Sequence, residues 1–188
     1  MKEVKIMALL NEKNEQTEQC IHIMITDKCK RNCPDCCNNQ YSISDIPILT
    51  DDELSKARNI YLTGGEPFAF ADPCRIGDGL RNIYSNIERV VVYTNAYELY
   101  EYLKSDGEIY GIDGLTISIK NHKDWEVFNT YLAWDSRITN LKYNRVYVFE
   151  GFENLHVDGF DIQTRKWQKE FNAAPNSIFR RIATIAAV

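Results

Sequence analysis

No stretch of this 188-residue chain approaches the roughly 20 consecutive apolar residues that span a bilayer. The longest apolar run near the N-terminus, residues 6–10, is too short for the core of a secretion signal, and Glu3 and Lys5 flank it. No internal repeat recurs, and no Pro-, Gly- or Ser-rich linker divides the chain. A basic excess is also missing: the net charge is −5, which argues against a dedicated nucleic-acid binder, whose phosphate contacts need a basic face. The Arg and Lys residues at 165, 166, 169, 180 and 181 read as solvated faces. Histidine is scarce, with only His22, His122 and His156, and no two stand at ligand spacing. Six cysteines in a chain this long do not make a disulfide scaffold, because four crowd into one loop and Cys20 and Cys74 stand alone. These absences predict one reducing-compartment, cytoplasmic domain over residues 1–188, without a membrane partner.

What is present begins in that loop. Cys29, Cys33 and Cys36 are spaced C-x3-C-x2-C, and Cys37 follows directly. Three thiolates at this spacing can hold three irons of a four-iron cluster and leave the fourth open. A structural zinc site wants a fourth ligand, which Cys37 or a histidine would have to supply. A redox dithiol wants two cysteines. Gly64-Gly65-Glu66-Pro67 follows about one βα unit later, and each motif comes after a strand-like run, at 21–25 and 59–63.

Strand patterns at 59–63, 89–94, 114–120 and 145–149 alternate with helical ones at 50–57, 74–87, 95–105 and 123–134. Thr50 with Glu53 and Asn95 with Glu98 make capping boxes. The alternation predicts an α/β fold with a parallel sheet and right-handed crossovers. Five or six βα units fit this length, whereas a complete eight-unit barrel takes about 250 residues. The expected fold is a partial, open parallel β/α barrel. It is preceded by an N-terminal strand or hairpin over 1–19 and followed by a C-terminal tail over 173–188. Residues 39–49 read as irregular and 164–172 as weakly helical.

Reactive groups in parallel barrels gather at the C-terminal ends of strands. The cysteine loop, Gly64–Pro67, Thr94 with Asn95, and Ser118 with Lys120 each occupy such an end. Gly64 and Gly65 let backbone pass close to a ligand. Asn95 also reads as an N-cap, and Lys120 equally as a strand-end lysine in solvent. Tyr97, Tyr100, Tyr102 and Tyr110 crowd one helix, and Trp125, Trp134 and Trp167 read as packing residues. Glu150 is a weaker candidate at the last clear strand end.

The cysteine loop followed by Gly64-Gly65-Glu66-Pro67 resembles the radical S-adenosylmethionine superfamily over about residues 20–120. The resemblance implies a 4Fe–4S cluster on Cys29, Cys33 and Cys36, with S-adenosylmethionine chelating the open iron. It implies that Glu66 and the backbone of its turn bind the ammonium group. Thr94 and Asn95 would reach the methionine or ribose part, and Ser118 and Lys120 would face the site. Reductive cleavage would give a 5′-deoxyadenosyl radical for hydrogen abstraction from a small molecule or nucleotide precursor, with flavodoxin or ferredoxin as electron donor. An activase of a glycyl-radical enzyme is the alternative, since Asn38 follows Cys36-Cys37 as in that group. A non-catalytic iron–sulfur or zinc protein is another. Asp35 departs from the pattern: the family often has an aromatic residue there, packed near the adenine. At Asp35 only the backbone carbonyl would remain to bond the adenine amino group. Cys37 is also unexpected, and reads as a small buried hydrophobe.

Overall fold

The computed structural model describes residues 20–33, 36–149, 152, 157–167 and 177–184. The expected strand or hairpin over 1–19 lies outside these residues, as do Asp35 and Glu150, and the side chain of Cys37 is not described. Seven strands form one sheet: β1 (Cys20–Thr26), β2 (Asn59–Gly64), β3 (Arg89–Asn95), β4 (Gly114–Ile119), β5 (Tyr143–Phe149), β6 (Asp161–Arg165) and β7 (Ser177–Arg181). Every pairing is parallel, in the order β6-β5-β4-β3-β2-β1-β7. Between the strands lie helices α1 (Asp51–Leu54), α2 (Pro67–Phe70), α3 (Pro73–Ile83), α4 (Ala96–Lys104), α5 (His122–Thr130) and α6 (Ser136–Thr139). A parallel pair needs such a crossover, because no tight turn can reverse the chain twice.

The two faces of the sheet differ. On one, Ile21, Ile23, Ile60, Leu62, Val90, Val92, Leu115, Ile117, Val146 and Val148 are buried against helical residues such as Leu99, Phe128 and Ile138. Each such side chain stabilises the fold by about 1.5–3 kcal/mol relative to exposure. The other face carries a half-buried row of polar rings. His22 stacks on Tyr61 at 4.7 Å, Tyr61 meets Tyr93 at 6.1 Å, and Tyr93 meets Tyr147 at 6.3 Å. Period-two alternation along each strand produces this division.

The capping box forms at Thr50, whereas at Asn95 only half of the expected box does, since Asn95 N donates to Glu66 and the Glu98 carboxylate accepts from Lys30. The Thr50 hydroxyl accepts from Glu53 N while the Glu53 carboxylate accepts from Thr50 N, and Asn95 Oδ1 accepts from Glu98 N. Three other expectations fail. Within the expected tail, Ser177–Arg181 form strand β7, which pairs with β1 at the other end of the described chain. Residues 164 and 165 end strand β6 rather than beginning a helix. Trp125 and Trp134 are exposed rather than packed, Trp125 within α5 and Trp134 in the 3-10 turn that follows it. Among the described residues no helix is long and apolar enough to cross a membrane.

Candidate functional site at the C-terminal ends of the strands

The cysteine loop leaves β1 and is held first by β2. Gly65 N donates to Thr26 O (2.7 Å) and Glu66 N donates to Lys28 O (2.8 Å). Gly64 sits at φ +133°, a conformation that side chains strain to adopt. A Cβ on Gly65 would overlap the carbonyl of Lys28. The close approach expected of this glycine pair is thus made to the backbone that enters the cysteine loop. A register shift between Met24 and Thr26 marks the same spot, and such bulges re-aim the chain at strand ends.

Two basic residues of the loop hold it to the helices. Arg31 makes a two-pronged ion pair with Asp124, its nitrogens 2.5 and 2.6 Å from the carboxylate oxygens. Asp124 has no exposed surface, and it also accepts from Tyr97 N and Lys120 N, both at 3.1 Å. Lys30 donates to Glu98, which is buried on α4 (3.1 Å). One loop is therefore tied to α4, to α5 and to the end of β4. None of Lys30, Arg31, Glu98 and Asp124 was picked out as functional from the sequence. Asp124 is three residues after the N-cap Asn121, where an acid reads as ordinary capping.

Three expected site residues meet in one buried network. Glu66 is 3% exposed. Its carboxylate accepts from the Thr94 hydroxyl (2.5 Å), Asn95 N (3.0 Å) and Asn95 Nδ2. Burial pushes the Glu66 carboxyl up to about 7, against the pull of the hydrogen bonds from Thr94 and Asn95. Asn95 does two jobs, capping α4 with Oδ1 and donating to Glu66 with Nδ2. The polar atoms of Thr94 and Asn95 are thus used within the protein, and they fix the turn of β2 against β3. Pro67 is buried at the first position of α2.

Ser118 is half-buried on β4, in register with Asn95 on one side and Tyr147 on the other. Lys120 is half-buried rather than in open solvent. Its Nζ lies 5.9 Å from the centre of the Phe149 ring and 5.8 Å from that of Trp167, a cation–π arrangement. Trp167 packs on Phe149 with ring centres 4.5 Å apart.

No disulfide links the described cysteines. The backbone bond from Cys36 N to Cys33 O (3.2 Å) turns the loop back on itself. The Cys29 thiol is held above its ordinary value by partial burial of its sulfur; the Arg31 N–H at 3.4 Å opposes this, and Glu66, Cys33 and Cys36 add to it. That is the reverse of an activated redox cysteine, and a bound metal is what converts such a thiol to thiolate. Among the described residues no three Cys, His, Asp or Glu side chains converge as ligands of a single ion would. A four-iron cluster takes one thiolate per iron, so its cysteines need not point at one centre. The donor set, soft sulfur on one clamped loop, fits such a cluster.

Comparisons with protein-family models, with curated proteins and with solved structures gave no match to this chain.

Proposed function

We propose that this chain is a radical S-adenosylmethionine enzyme whose parallel sheet forms a partial barrel around the site. The observation that carries the reading is the clamp between the two motifs: the Gly64–Gly65 turn is hydrogen-bonded to the strand end and first residues of the loop that bears Cys29, Cys33 and Cys36. These cysteines would hold a 4Fe–4S cluster, and the backbone of the Gly65–Glu66 turn and strand ends would hold S-adenosylmethionine. When bound, the two together supply a 5′-deoxyadenosyl radical for hydrogen abstraction.

The chain's own residues do the positioning. Arg31 and Asp124 fix the loop with a buried two-pronged ion pair, whose planar fork admits one geometry. Glu66 fixes the turn through Thr94 and Asn95, so a ligand lying across the strand ends meets a rigid floor. The row of His22, Tyr61, Tyr93 and Tyr147 lines the polar face beneath. Burial lowers His22 to about 4, which keeps it neutral at physiological pH and makes it a flat stacking surface rather than a cation. This lining suits a small, planar, polar substrate better than an apolar one.

The test is anaerobic reconstitution with iron and sulfide, then dithionite reduction with S-adenosylmethionine, with 5′-deoxyadenosine measured by mass spectrometry. Wild type should release 5′-deoxyadenosine and Cys33→Ala should not. A stable cluster without cleavage, alone or with candidate substrates and glycyl-radical partners, would favour the structural iron–sulfur reading. Zinc bound in place of iron would overturn the proposal.

A further inference from the structure

At the opposite end of the sheet, where β3, β5 and β6 begin, lies a cavity of about 320 Å³. Tyr61, Arg89, Lys142, Tyr143, Arg145 and Asp161 contribute its chemistry. Arg89 and Asn95 are the two ends of one strand, six residues apart, so roughly 20 Å separates this cavity from the Glu66 network. It shares Tyr61 with the ring row described above, and its charged residues lie at the far end of the strands from the cysteine loop.

Its charges do not balance. Arg145 is paired with Asp161, its Nε 2.7 Å from the carboxylate. Among the described residues, Arg89 and Lys142 have no carboxylate there. Arg89 lies flat on the Tyr143 ring at 3.9 Å, and its buried Nε has no hydrogen-bond partner. Lys142 lies on the same ring at 5.2 Å. Two other described acids of this edge are engaged elsewhere, Glu88 with Arg58 and Asp113 with Arg81. The described lining therefore carries an excess of two positive charges around a space larger than one ion. Hydrogen bonds from Lys142 and Arg89 also hold the Tyr143 phenol below its ordinary value, as an uncompensated cationic field should.

We propose that this cavity binds a small phosphorylated molecule, with its phosphate held by Arg89 and Lys142 and its body against Tyr61 and Tyr143. A phosphate matches the lining in two ways. Its charge of nearly −2 offsets the excess, and its several oxygens meet a guanidinium fork, an ammonium and tyrosine hydroxyls together. A carboxylate offers half the charge. The volume is at the small end of ligand pockets, enough for a compact phosphate ester and too small for a dinucleotide. The site is independent of the cysteine loop.

Calorimetric titration of the full chain with inorganic pyrophosphate and with AMP, in chloride buffer, tests this, with acetate as control. Saturable one-to-one binding of at least one phosphate probe is expected, with acetate inert. Each of Arg89→Gln and Lys142→Gln should weaken binding at least about tenfold, as loss of a charge-assisted hydrogen bond does. Lys142 is exposed, so its variant keeps the test valid if Arg89→Gln fails to fold. Cys33→Ala should bind as wild type does. Absence of saturable binding, equal affinity in both lining variants, or acetate binding as tightly as phosphate would each overturn the assignment.

Discussion

The two ends of this sheet handle polar groups in opposite ways. At the C-terminal end every named charge has a partner: Glu66 holds Thr94 and Asn95, Asp124 holds Arg31, and Glu98 holds Lys30. At the N-terminal end Arg89 and Lys142 share a tyrosine ring and no carboxylate. The first arrangement is rigid, because each buried atom would cost free energy if its neighbour moved. The second is receptive, because its unmatched charge is stabilised only when something enters. Under the two proposals, positioning and recognition fall at different ends of the same strands.

Asp124→Ala should break the rigid end most severely. It leaves the Arg31 guanidinium largely buried without its carboxylate, and two backbone N–H groups without an acceptor. A loss of about 4 kcal/mol in urea unfolding is expected. Replacing both partners with apolar residues, Arg31→Met with Asp124→Leu, should recover only the part due to the stranded guanidinium, because the Tyr97 and Lys120 N–H groups still lack their acceptor.

Gly65→Ala comes next. The added methyl meets the Lys28 carbonyl, which is backbone and cannot swing aside. About 3 kcal/mol of destabilisation is expected, together with loss of iron incorporation on reconstitution. Gly79→Ala meets open space, and serves as a control that leaves iron incorporation unchanged.

The smallest effect is a pair of opposed pH dependences. Glu66 has a raised carboxyl pKa, so the folded state binds its proton more tightly than the unfolded chain, and its contribution to stability falls as pH rises from about 4.5 to about 7. His22 is lowered to about 4, so its contribution falls as pH drops from 6.5 towards 4. In wild type the two should largely cancel, leaving urea midpoints nearly flat across that window. Glu66→Gln keeps the geometry, since its amide can donate to Thr94 while its carbonyl accepts from Asn95. It should expose the His22 slope, and His22→Phe should expose the opposite slope, each about 3 kcal/mol over the whole window. A flat profile in both variants would show that neither group titrates as its burial demands.

The central strands were legible because apolar runs such as Arg89-Val-Val-Val-Tyr have no other stable place than a parallel interior. Caps at Thr50 and Asn95 were legible because a cap is a local hydrogen bond between residues three apart. Strands β6 and β7 were not. Asp161-Ile-Gln-Thr-Arg is largely polar at one end of the strand order, and the partner of Ser177–Arg181 lies more than 150 residues earlier. The motif residues Cys29, Cys33, Cys36 and Gly64–Pro67 stood out by spacing. Their anchors Arg31 and Asp124 did not, because residues 93 positions apart carry no local sign of pairing.

The sequence by itself determined the alternation of strands and helices, the caps, and the thiol-bearing loop followed by its glycine turn, because each depends on side chains close in the chain. Only the tertiary structure decided that Glu66 is buried among Thr94 and Asn95, that the loop is locked to Asp124, and that Arg89 faces a cavity whose described carboxylate, Asp161, is taken by Arg145. Burial and charge balance are properties of what surrounds a group, and those surroundings are assembled from residues far apart in the chain.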